Sequence, residues 1–345
     1  MSVDLGRPVA VWRPRPRTSL RVDRRAVAVG LVLLAIVCVL AVVSLAYGTY
    51  QLSLGEVVGA LTGNGDRRAH TLVVEWRLPR LLFAIGCGIA LALAGSIFQS
   101  LTRNPLGSPD VIGLDAGSYA GAVIVTLVIG STAYTDIALG SLVGGLLTAA
   151  LVYVLAYRRG AQGFRLIIVG IAVAAMLSSF NAYVMMREDP QTAMIVAAWG
   201  AGSLASLGYS QLVPFSIALV ALLPLAALLA RPLAQLELGD DAARSQGVHA
   251  ERVRLGATIL GVAFASLVSA AAGPIAFVAL VAPQIAHRLA RTAGPSPVVS
   301  ALTGAALLVS ADVVAQHLAV ATGLVTVTLG GLYFIWLLIR EYRRS

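Results

Sequence analysis

Lysine is absent from this chain, and all 25 basic residues are arginine. The G-x-x-x-x-G-K-[ST] phosphate loop needs its lysine to reach the β- and γ-phosphates, so no Walker-type nucleotide site can be built from these residues. If ATP drives this protein, another chain binds it. Charge of either sign is also scarce: 12% of the 345 residues are charged, 58% are apolar, and the mean hydropathy is +0.86. A water-soluble domain of this length would lack the polar residues to cover its surface. Cysteine is nearly missing too. Cys38 and Cys87 lie inside apolar runs without C-x-x-C spacing, which reads as two small hydrophobes and not as a disulfide or metal pair. His70, His249, His287 and His317 form no H-E-x-x-H, and no Ser-Gly dipeptide occurs, which removes the zincin pattern and the G-x-S-G arrangement of an intramembrane serine protease. The chain is therefore expected to be no enzyme and to carry no cofactor of its own.

What is present is a succession of apolar stretches of about 20 residues separated by short polar breaks, the pattern of helices crossing about 30 Å of hydrocarbon and not of an alternating barrel. Hydrophobicity predicts an all-α polytopic fold with about ten spans, at 26–47, 78–102, 111–130, 135–157, 166–186, 213–230, 253–272, 274–290, 298–315 and 324–339. The first is too long for a signal-peptide core, so Ser44-Leu45-Ala46 is read as part of an uncleaved helix. Ahead of it, residues 1–25 combine seven arginines with Pro14 and Pro16, a composition that predicts a disordered basic tail before a ten-helix domain over 26–345.

The net charge of +9 does not form a basic face with interleaved aromatics, so nucleic acid is not an expected partner and topology is the better explanation. With ten spans and both ends cytoplasmic, 20 of the 25 arginines fall on the cytoplasmic side. Only Arg67, Arg68, Arg77, Arg80 and Arg187 remain outside, as the positive-inside rule requires of a multi-pass inner-membrane protein.

Gly113, Gly117 and Gly121 form a small-x-x-x-small stripe, and Gly140 with Gly144 starts another, both read as helix-packing faces. Two external segments exceed simple turns: 51–76, with a helical stretch at Leu54–Leu61, and 187–212, where Trp199-Gly200-Ala201-Gly202-Ser203 interrupts an apolar run. Each is expected to be a short helix at the outer mouth. An ion-coupled carrier buries ionisable groups at mid-membrane. Here Asp115, Asp136 and Asp312 sit near predicted helix ends and are read as helix-terminal or solvated.

The informative polar segment is the cytoplasmic loop at about 231–253, within RPLAQLELGDDAARSQGVHAERVR. Gly239 is expected to break the preceding helix and Asp240 to N-cap a new one at about 241–246. Asp241 suits its positive end, Gly247 can close it in the left-handed conformation, and a second helix should begin near 250. An exposed helical knob of this kind can receive force from a soluble partner. A solvated linker is the simpler reading of the same residues.

Several ordered segments resemble one family. They are Arg77-Leu78-Pro79-Arg80, ALAGSIFQSLTRNPLGSPDVIGLDAG from Ala92 to Gly117, LGDDAARSQGV from Leu238 to Val248, GPIAFVALVAPQIAHRL from Gly273 to Leu289, and the terminal GLVTVTLGGLYFIWLL. From about residue 48 to 340 the chain resembles the FecCD-type permeases of binding-protein-dependent ABC importers, which include the vitamin B12 and ferric-siderophore permeases. The resemblance implies a type II importer permease fold and a homo- or heterodimer with a second permease subunit in membrane lipid. It also implies two ATP-binding subunits that use ATP and Mg below, and an extracytoplasmic substrate-binding protein above. Leu238, Gly239, Asp240, Asp241, Ala242, Ala243, Arg244 and Gly247 then match the region that seats in the ATPase. Arg77 and Arg80 match arginines that pair with glutamates of the binding protein. Asn104, Leu106, Gly163 and Phe164 match the cytoplasmic gate.

The sequence departs from the family at three places. Gln316 stands where a docking arginine is common, Ala321-Thr322-Gly323 replaces L-P-V-G, and Gln284 stands where many relatives have His. Ferric siderophore is the expected substrate, with cobalamin and haem as alternatives and an ion-coupled secondary transporter as the competing class.

Overall fold

A computed structural model describes residues 9–15, 18–48, 50–110, 113–156, 163–291, 294 and 296–342. Val9–Arg15 (β1) and Thr18–Asp23 (β2) pair as an antiparallel hairpin, Val9 opposite Asp23, where composition predicted a tail without regular structure. A lone two-stranded ribbon is marginal in water. Its backbone runs directly into Arg24–Ala46 (α1), which Asp23 caps by accepting from the Arg25 N–H.

Leu54–Leu61 (α2) has the bounds predicted for it, set by a capping box in which Ser53 Oγ accepts from the Glu56 N–H and the Glu56 carboxylate accepts from the Ser53 N–H. Arg67–His70 (α3), a wide π-helical stretch Thr71–Arg77 and Leu78–Thr102 (α4) form one continuous rod. Leu114–Val123 (α5) ends in a second π-helical stretch, Ile124–Ile129, and is followed by Tyr134–Ala156 (α6) and Gly163–Met185 (α7). Pro190–Gly200 (α8) is the second predicted external helix, and Asp189 caps it. Then come Tyr209–Glu237 (α9), Asp240–Ser245 (α10), Ala250–Ala272 (α11), Val278–Ala290 (α12), Pro297–Leu318 (α13) and Thr322–Tyr342 (α14).

A helix lies in each of the ten predicted ranges, and among the described residues seven helices have the length and composition to cross a bilayer. The shortfall is geometric. At 1.5 Å per residue, the 13 residues of α12 reach about 20 Å, short of a hydrocarbon core about 30 Å thick. Leu114–Ile129 and Thr322–Trp336 are the other shorter apolar helices.

Two bundles make up the interior. In the first, α4 is the buried centre, packed by α9, α11, α12 and α13. Gly88 lies directly on the Gly304 backbone of α13 and Gly95 on the Ala279 carbonyl of α12, so a methyl at either position would enter a neighbouring helix's main chain. In the second bundle, α5, α6 and α7 pack together, and the predicted stripes face one another. Gly121 lies against the Gly140 carbonyl and Gly117 against Gly144 and Thr148. Gly113 does not belong to the stripe. It precedes α5 at φ 84° and contacts Gly170 and Ala174 of α7. The two bundles meet along α11, which touches both α4 and α6.

Candidate functional site

The chemistry that sequence singled out gathers at the two ends of α4. At the end predicted to be cytoplasmic, the loop proves shorter than expected, because α9 continues seven residues past its predicted end at 230, through Pro232, to Glu237. The continuation is held by burial: Leu236 packs with Ala243 of α10 and Ala250 of α11. Gly239 then takes φ 115° and ψ 154°, a region open essentially to glycine alone, and turns the chain into α10. Gly247 closes the far side at φ 82°, as predicted.

Asp240 is not the N-cap it was expected to be. It is the first residue of α10, Gly239 holds the cap position, and no side chain caps the helix. The Asp240 carboxylate instead takes two arginines. Arg103, the left-handed residue that ends α4 at φ 49°, donates from Nη2 to Oδ1 at 2.5 Å and from Nε and Nη2 to the Leu236 carbonyl at 3.0 and 2.7 Å. Arg254 of α11, 11% exposed, donates from Nη2 to both Asp240 oxygens at 3.0 Å, while its Nη1 meets Glu251 at 3.3 Å. Alongside, Ser100 Oγ donates to Glu237 at 2.6 Å. Burial works to raise the Asp240 pKa, but the hydrogen bonds and charges of Arg254 and Arg103 prevail and hold it below the usual aspartate value of 3.8. The opposite face of α10 is open: Leu238, Asp241 and Arg244 are exposed, Ala242 is half-buried and Ala243 is buried.

Next to this joint lies a cavity of about 340 Å³ walled by α4, α12 and α13, with Asn104, Pro105 and Gln284 among its lining. Asn104 Oδ1 accepts from the Leu106 N–H at 2.9 Å, which fixes the Asn-Pro-Leu turn. Gln284 donates to Gln99 Oε1 at 2.8 Å and to the Pro105 carbonyl at 3.3 Å, so it ties α12 to the same turn. Gly163 and Phe164 open the backbone of α7. Their side chains, and the neighbouring 157–162 with Arg158 and Arg159, lie outside the described residues.

At the opposite end, predicted to be the outer one, Arg77 donates to the Leu45, Ala46 and Tyr50 carbonyls at 2.7, 3.2 and 2.5 Å, which fastens the π-helical stretch to the end of α1. Arg80 forms a bidentate pair with Asp312 of α13, from Nε at 2.9 Å to Oδ2 and from Nη2 at 2.9 Å to Oδ1. Asp312 is 1% exposed and Arg80 18%. Thr322 Oγ1 and Gln316 Nε2 complete the carboxylate at 2.8 and 2.9 Å. Asp312 is therefore buried and fully partnered, not solvated as its place near a helix end suggested. Asp115 is in the first turn of α5 but faces Ser269 of α11 inside the bundle, whereas Asp136 is exposed and accepts from the Ser131 hydroxyl. Arg103 and Arg254 are the members of this cluster that sequence reasoning missed. The sequence places Arg103 only among the cytoplasmic arginines, and nothing local points to a carboxylate 137 positions away.

A buried helical rod carrying an ion pair at each end, within a bundle of helices long and apolar enough to span a bilayer, defines the class as a multi-span helical membrane protein. A solved metal-chelate type ABC transporter in an inward-facing conformation has the same fold, with TM-score 0.79 and 24% identity over 91% of this chain and 99% of that one. The model of the FecCD transport family matches residues 34–340, and the chain belongs to that family. It is 44% identical over 328 residues, 94% of this chain and 99% of the relative, to the ferric enterobactin transport system permease protein FepG of Escherichia coli (strain K12). It is 33% identical to the achromobactin transport system permease protein CbrC of Dickeya dadantii (strain 3937), over 96% of this chain and 97% of the relative.

Proposed function

We propose that this chain is the transmembrane permease subunit of an ATP-driven importer of ferric siderophores. The observation that carries the substrate class is near full-length similarity to permeases whose names specify ferric enterobactin and achromobactin. The energy source is external, because the sequence has no lysine for a phosphate loop. In this reading the chain holds no cofactor, and ATP and Mg belong to two partner subunits. The knob formed by Leu238, Asp241 and Arg244 is the surface those subunits press, and rigid-body tilting of the helices alternates access. Two permease subunits enclose the path, ten segments cross the membrane, and both termini face the cytoplasm. Asn104 and Leu106, with Gly163 and Phe164, close the inner exit by packing.

The binding protein docks at the outer end of α4 through Arg77 and Arg80. Both guanidiniums are engaged within the chain, so docking proceeds by exchange, a carboxylate of the partner replacing Asp312 or a backbone carbonyl. Such exchangeable rim contacts orient a partner that must leave in each cycle.

The test is uptake of labelled ferric enterobactin by cells that carry this permease as their only one, co-expressed with the ATPase and binding protein of a ferric enterobactin importer. The expected result is uptake that stops on ATP depletion and survives collapse of the proton gradient. Uptake with the opposite dependence, or no ATPase subunit recovered with the purified permease, overturns the proposal.

A further inference from the structure

We infer that Asp240, gripped by Arg103 and Arg254, is the joint that makes α10 move as one body with α4 and α11; Arg103 and Arg254 are thus positioning residues for transport. The inference rests on the reading of α10 as the surface an ATPase presses, and it adds how that push leaves the knob. A six-residue helix is too short to be stable by itself, and α10 is flanked by two glycines in positive-φ conformations, Gly239 and Gly247. Left to its backbone it would swivel and absorb a push. Two things oppose this. The methyl of Ala243 is buried against Leu236 and Ala250. The Asp240 carboxylate is the one group among the described residues through which α10 makes ion pairs to other helices, one to the end of α4 and one to the start of α11.

The geometry suits transmission. Arg103 binds the Leu236 carbonyl and Asp240 with one planar guanidinium, so the end of α4 is fixed to both sides of the Gly239 turn at once. Arg254 approaches the same carboxylate from α11, so Asp240 cannot shift toward one helix without pulling on the other. From Arg103 the rod α4 runs through the bundle to Arg80 and Asp312 at the outer mouth, packed against α12 and α13 by glycine contacts that permit no slack. A displacement of α10 is therefore delivered to the outer mouth by a buried helix and not by a loop.

Two measurements on Asp240→Asn test this, with Arg254→Gln as the second variant should the first fail to fold. In the full importer reconstituted in lipid vesicles, each variant is expected to lower substrate transported per ATP hydrolysed about tenfold, a coupling loss in the usual range for linked sites. Asp240→Glu, which keeps the carboxylate, should recover most of it. In the permease alone in lipid nanodiscs, with Cys38 and Cys87 replaced by Ala, spin labels at Ser245 of α10 and Ile259 of α11 should give a narrow distance distribution that broadens at least twofold in the variants. This second measurement needs no ATPase, so it stands or falls separately from the importer reading. An unchanged distribution overturns the joint, and an unchanged transport-to-ATP ratio overturns its role in transmission.

Discussion

The two ends of α4 carry the same chemical device in opposite settings. At the outer end, Asp312 is 1% exposed and its oxygens are taken by Arg80, Gln316 and Thr322. At the inner end, Asp240 is 33% exposed and its two arginines are 44% and 11% exposed. A buried carboxylate is tolerated only when its partners replace all of its water. A half-wet one remains open to partners and to salt. The outer clasp therefore holds α4, α13 and α14 in register away from water, whereas the inner one ties α10 to α4 and α11 within reach of solvent and salt.

The largest effect should come from breaking the outer clasp. Asp312→Ala leaves the Arg80 guanidinium largely buried without its counter-charge, which costs about 3–5 kcal/mol where such pairs have been broken. A fall in the thermal midpoint in detergent, together with loss of the folded monodisperse peak on chromatography, is expected. A midpoint within a degree of the wild type would mean that the burial of Asp312 is not what secures α13. Arg103→Ala should cost less, about 1–2 kcal/mol, since the lost hydrogen bonds to Leu236 and Asp240 are partly solvated and an alanine must adopt the left-handed φ. Urea unfolding of the two variants side by side measures the ranking, and a reversed order would dissolve the contrast between the ends.

The inner clasp should also be the one that pH reaches. The Asp240 pKa is held below 3.8 in the folded protein, so its contribution is fully present above that value and is lost as pH falls through the lower, folded one. The midpoint difference between wild type and Asp240→Asn should be flat from about pH 8 to about pH 5 and close below about pH 4. Its size should be about 1 kcal/mol because a third of the side chain is in water. A difference that grows on acidification would contradict the sign and with it the ion pair.

How much of this was legible in the sequence follows from range. Apolar length located all ten helical segments, and local grammar placed α2 to the residue, because Ser53 and Glu56 cap it within four positions. Gly239 and Gly247 marked α10 for the same reason. What failed was long-range. Asp240 has the composition of an N-cap, and only the fold brings Arg103 and Arg254 to it, at separations of 137 and 14 residues. Asp312 has the sequence context of a solvated helix end, whereas Thr322, ten residues on, folds back and seals it. The hairpin over Val9–Asp23 escapes a composition-based reading because proline and charge counts ignore the alternation that lets such a segment pair. Helix number was the least determined by length, since α12 is too short to be counted by that criterion.

The smallest predicted effect concerns Gln316, one of the three places where the sequence reads as departing from the family resemblance. Gln316 sits one turn after Asp312 and donates to its Oδ2. An arginine at that position would reach the same carboxylate from the same helix, as i,i+4 pairs do. It would compete with Arg80, which already holds Asp312 through two of its nitrogens. Because one ion pair is traded for another, Gln316→Arg should change stability by less than about 1 kcal/mol. It should, however, release one guanidinium toward the outer surface, where charge governs encounter more than final affinity. The expected signature is a faster association rate for the binding protein, about two- to fivefold at low salt and vanishing at high salt, with little change in dissociation. Adding Arg80→Gln to this variant should leave Asp312 paired with the introduced guanidinium and remove the rate gain. If the gain persists in the double variant, Arg80 and the side chain at position 316 do not share Asp312, and the outer clasp is not what keeps Arg80 from its partner.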